Sequence, residues 1–113
     1  MTRPIALVLL LGAWVHVPAL DLVRDGRPVA ALVLPAKPNA VEKLAAEELR
    51  DHVCLISGAE LKIQSAPATG PRVLIGRAAA SVGVKADALE PEHYRIRTGP
   101  DWLAIAGRDA ALR

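Results

Sequence analysis

The longest regular pattern of apolar and polar positions runs from Pro38 to Ile63, PNAVEKLAAEELRDHVCLISGAELKI. On a 3.6-residue period Val41, Leu44, Ala45, Leu49, Val53, Leu55 and Ile56 gather on one side, and Lys43, Glu47, Arg50 and Asp51 on the other. The pattern predicts an amphipathic helix over about residues 40–57 that packs one face on a sheet. Both of its ends are signalled. Asn39 is an N-cap and Glu42 stands at the third helical position, from which its side chain can return a bond to the cap. Gly58 can take the left-handed conformation that closes a helix.

Elsewhere the apolar runs are short and punctuated. In LDLVRDGRPVAALVL two runs flank Asp25-Gly26, a dipeptide suited to a tight turn with positive φ at both central positions, so strands are expected at about 20–24 and 28–34. Pro35 and Pro38 end the second, because neither can donate to a ladder. After the helix, ELKIQS alternates like a strand, APATGP is a loop and RVLIG is a short apolar strand ended by Gly76. RAAASVGVKADALEPE reads as a weak helix or an irregular connection. HYRIRT and WLAIAG flank Gly99-Pro100-Asp101 and predict a second hairpin.

The two ends of the chain have their own signatures. Residues 1–19 combine a basic start, MTR, an apolar stretch, PIALVLLLGAWVHV, and small side chains at Val17 and Ala19, which predicts a secretory signal cleaved after Ala19. The stretch is too short to span a bilayer. A secreted or periplasmic protein without a membrane anchor is expected. The closing GRDAALR reads as a helix begun at Asp109 and stopped within one turn, so the chain is expected to be the front piece of a longer protein.

Composition narrows the function classes. The 113 residues carry a formal net charge of +2 with Lys and Arg scattered, so the basic stripe of a nucleic-acid binder is missing. Trp14, Tyr94 and Trp102 are the only aromatic residues, which argues against a base-stacking platform and weakens the case for a sugar-stacking strip. Cys54 is the only cysteine and can form no disulfide within the chain.

Few residues are candidates for chemistry. Glu48 and His52 are four apart on the helix and can pair, as a general base and its orienting carboxylate would, but no motif supplies a nucleophile or metal beside them. Cys54 lies mid-helix with no signature of a cysteine hydrolase around it and reads as a packing residue. His16 falls in the expected signal. His93 with Glu90 and Glu92 lacks the second imidazole of a metal site and reads as solvated loop. Gly76 and Gly83 follow a strand but match neither the dinucleotide fingerprint nor the P-loop, and Trp102 reads as core or interface. No catalytic, cofactor or metal residue is assigned.

Taken together, the opening hairpin, AVEKLAAEELRDHVCLISGAELKI, RVLIGRA, EPEHYRIRT and WLAIAGRD resemble the N-terminal α+β domain of alpha-glucuronidases of glycoside hydrolase family 67, and the related second domain of beta-N-acetylhexosaminidases. The resemblance covers about residues 20–113. It implies an α+β, two-layer fold with a mixed or antiparallel sheet and helices on one face, truncated before its last helix. It also implies a non-catalytic accessory domain, whose partner is a downstream catalytic barrel that carries the paired acids and touches the carbohydrate. From different classes, a free-standing carbohydrate-binding module and a small hydrolase using Glu48 and His52 are the alternatives.

Overall fold

The computed structural model describes residues 20–85, 89–90 and 93–108. The expected signal at 1–19, the helix start at Asp109 and Glu92 lie outside these residues. Over the described residues the architecture is α+β, with a two-stranded antiparallel pair, a five-stranded mixed sheet and one α-helix packed on it. The pair is β1 (Val23–Arg24) with β2 (Arg27–Pro28), turned by Asp25 and Gly26 at φ 53° and 73°, as the Asp-Gly dipeptide predicts.

The run from 28 to 34 is not one strand. The N–H groups of Val29 and Ala30 both donate to the Leu22 carbonyl, which uses two residues against one and turns the chain out of the hairpin. The chain then starts β3 (Ala31–Leu34), in the main sheet. The helix α1 (Ala40–Ser57) follows, and it returns the chain to β4 (Ile63–Ser65), parallel to β3. Only three residues of ELKIQS pair. Residues 66–71 cross back over β3, with Ala66 and Ala68 against the core, to β5 (Arg72–Ile75). Of the weak helix or irregular connection expected after β5, the first part is a 3₁₀ helix (Gly76–Val82), and β6 (Tyr94–Thr98) and β7 (Trp102–Gly107) form the expected second hairpin. The strand order is β4-β3-β5-β7-β6, parallel except for β6.

Because successive strand residues point to opposite faces, the sheet builds two cores. Leu32, Leu34, Val73 and Ile75 face α1 and meet Ala46, Leu49 and Val53 of the helix. Val33, Leu74, Ala104 and Ala106 face the other way, where Ala78, Ala79 and Val84 cover them. On the α1 side the cover is incomplete. Leu103 and Ile105 of β7 are half-buried, and every residue of β6 is exposed.

Candidate functional site

The sequence places Val41, Leu44, Ala45, Leu49, Val53, Leu55 and Ile56 on the apolar side of α1; the structure bears this out for Leu49 and Val53 and corrects it for Val41, Leu44, Leu55 and Ile56. The strip in contact with the sheet is Glu42, Ala46, Leu49 and Val53, spaced i, i+4, i+7, i+11. Val41, Leu44, Leu55 and Ile56 lie on the neighbouring strip and are 42%, 56%, 83% and 86% exposed. The apolar arc of the helix is thus wider than the surface it buries. On the uncovered hairpin Tyr94 and Ile96 are also exposed. Val41 and Ala45 line an open groove of about 390 Å³ with Ile75, Ile105 and Tyr94. The groove walls are mostly apolar, with His93 and Arg108 at one end.

The Glu48 and His52 pair lies on that same exposed strip. His52 Nδ1 is 2.7 Å from the Glu48 backbone carbonyl and 3.7 Å from Glu48 Oε2, and both side chains are more than half exposed. The imidazole thus satisfies itself on its own helix. Cys54 is half-buried, and two residues from His52 on a helix means about 200° around the axis, so the imidazole cannot activate the thiol. His93 Nδ1 lies 3.4 Å from Glu90 Oε2, both exposed. Among the described residues no cluster of three metal-ligating side chains occurs. Replacing His52 with alanine is expected to change the unfolding free energy by less than about 0.5 kcal/mol in a urea titration. A loss of several times that size would give the pair a role its exposure denies.

The turn after β5, read in sequence as a strand ending that lacks a phosphate-binding signature, does hold an anion, and the anion is internal. Glu42 is buried. Its Oε2 accepts from the Arg77 backbone N–H at 2.8 Å and from Arg77 Nε at 3.3 Å. Its Oε1 accepts from Arg77 Nη2 and from the Asn39 N–H, each at 2.9 Å, while the Asn39 side chain accepts from the Glu42 N–H. Burial alone would raise the pKa of this carboxyl. The hydrogen bonds from the Arg77 side chain, the Arg77 and Asn39 backbone and the nearby guanidinium charge outweigh it, and the net shift is downward. Gly76 has φ 63°, and a Cβ there would lie 2.7 Å from Glu42 Cγ. The sequence shows the capping box but gives no sign of the partner 35 residues away.

Trp102 is half-buried against the second core and lies over Gly99, where a Cβ would collide with the indole. It is not presented for stacking. A second groove, of about 430 Å³, runs along the opposite face between Pro67 and Ser81, with Arg72 and Arg77 on its wall. Both guanidinium groups are engaged, Arg72 with Gly70 and Asp101, Arg77 with Glu42 and Lys37. No protein-family model matches the chain, and no curated protein or solved structure matches it.

Proposed function

We propose that this domain is a non-catalytic packing module of a secreted or periplasmic glycoside hydrolase of the alpha-glucuronidase kind, and that it buttresses a catalytic barrel. The observation that carries the reading is the open apolar groove lined by Val41, Ala45, Ile75, Tyr94 and Ile105, with Leu44 exposed on the same helix and Ile96 on the same strand. Exposed apolar patches of this kind mark surfaces that another protein layer covers. Burying one large aliphatic side chain contributes about 1.5–3 kcal/mol, so a few anchors suffice for a stable contact. The second support is the resemblance of the helix and strand motifs to that family. The chemistry belongs to the barrel; carbohydrate is contacted there, and nucleic acid and membrane are not partners.

The test mixes the full chain with the isolated catalytic barrel of a family 67 alpha-glucuronidase. The barrel's melting temperature is expected to rise by several degrees, and the Val41→Lys/Leu44→Lys double variant is expected to remove the rise. Hydrolysis of an aryl glycoside by the chain alone, abolished by His52→Ala, would replace this reading with that of a small enzyme.

A further inference from the structure

The outer edge of β6 has a defined hydrogen-bonding phase and a defined charge. Gly99 N–H donates to the Trp102 carbonyl at 2.9 Å and Arg108 N–H to the His93 carbonyl at 3.0 Å. These bonds assign the odd-numbered residues of β6 to the β7 ladder. The N–H and C=O groups of Tyr94, Ile96 and Thr98 therefore point to the outer edge, which no strand pairs among the described residues. On the α1 side this strand shows Tyr94, Ile96 and Thr98; on the opposite side it shows Arg95 and Arg97, exposed and with no carboxylate partner among the described residues. The other sheet edge, β4, has three residues and runs into Pro67, which cannot donate. The receptive edge is β6.

We infer that β6 accepts an added antiparallel strand from a different polypeptide, one that alternates apolar and acidic residues. The phase dictates the pattern. Residues of the incoming strand opposite Tyr94, Ile96 and Thr98 exchange backbone bonds and extend the apolar surface of Ile96 and Ile105. Those opposite Arg95 and Arg97 fall at the non-hydrogen-bonded positions, where cross-strand side chains approach most closely. Carboxylates are the complement there. A second copy of this chain is disfavoured, because every register of β6 on β6 that keeps the apolar residues on one face sets arginine opposite arginine. The inference concerns the strand edge and does not rest on the packing role proposed above.

The probe is the capped heptapeptide Thr-Val-Glu-Val-Glu-Val-Thr, titrated against the full chain, with the lysine-for-glutamate peptide as counterpart. The glutamate peptide is expected to bind about tenfold or more tightly than the lysine one, from two cross-strand charge pairs gained against two repulsions. Amide shifts should centre on Tyr94, Ile96 and Thr98. The Arg95→Glu/Arg97→Glu variant is expected to reverse the preference, and the same charge reversal at exposed Lys43 of α1, Lys43→Glu, to leave it unchanged. N-methylation of the peptide amides that face β6 is expected to abolish binding, a control that needs no protein variant. Equal affinity for the two peptides, undiminished binding of the N-methylated form, or concentration-dependent pairing of β6 with itself would each overturn the inference.

Discussion

Glu42→Ala is expected to lower the unfolding free energy by about 2–4 kcal/mol, since it deletes a charge-assisted hydrogen-bond set and half of a capping box. A small domain has only about 5–15 kcal/mol in total. The carboxylate and its guanidinium partner join two places distant in sequence: the segment from Lys37 to Asn39 that leads into α1, and the turn at Gly76 and Arg77. The pH dependence has a definite sign. The folded pKa of Glu42 is lowered, so its contribution is present in full above the ordinary value of 4.5 and is lost as pH falls through the lowered one. The gap in stability between the wild type and Glu42→Gln, followed by urea unfolding from pH 7 to pH 3, should narrow below 4.5. A gap that stays constant over this range would mean that the pair with Arg77 does not form.

Gly76→Ala is expected to cost about as much, 2–5 kcal/mol, for two separable reasons. Left-handed backbone at a residue with a Cβ costs roughly 1–2 kcal/mol. The remainder comes from displacing the Glu42 carboxylate, which occupies the space a methyl would need. The two substitutions are therefore not independent. In the Glu42→Ala background the alanine at 76 should cost only the backbone part, about 1–2 kcal/mol. Full additivity in the double-mutant cycle would show that Gly76 and Glu42 do not share this space.

The helix was legible in sequence to the residue, from Asn39 to Gly58, because caps and period act locally. Both tight turns, at Asp25-Gly26 and Gly99-Pro100-Asp101, were legible for the same reason. The strand from 28 to 34 was not. Its apolar run is continuous, and what splits it is a bend at Val29 and Ala30 that serves two different sheets. The burial of α1 was misplaced by about one helical step. Periodicity locates an apolar arc, whereas the part of the arc that is buried depends on where β3, β4 and β5 lie beneath it. Glu42 was recognised as a cap and not as the partner of Arg77, since a pairing across the fold leaves no mark in either local stretch.

The order of strands in the main sheet also bears on how the chain finds its shape. β6 and β7 are joined by three residues and can close on the microsecond scale of a hairpin. The middle of the sheet is the opposite case, since Ala31 sits beside Arg72, about forty residues further along. Between those positions lie the whole of α1 and the crossing at 66–71. The most deeply buried strands are thus the ones whose meeting requires the largest loss of chain freedom. Until β3 and β5 align, Leu32, Val33 and Val73 have no common interior to enter, and the outermost hairpin has nothing to lean on.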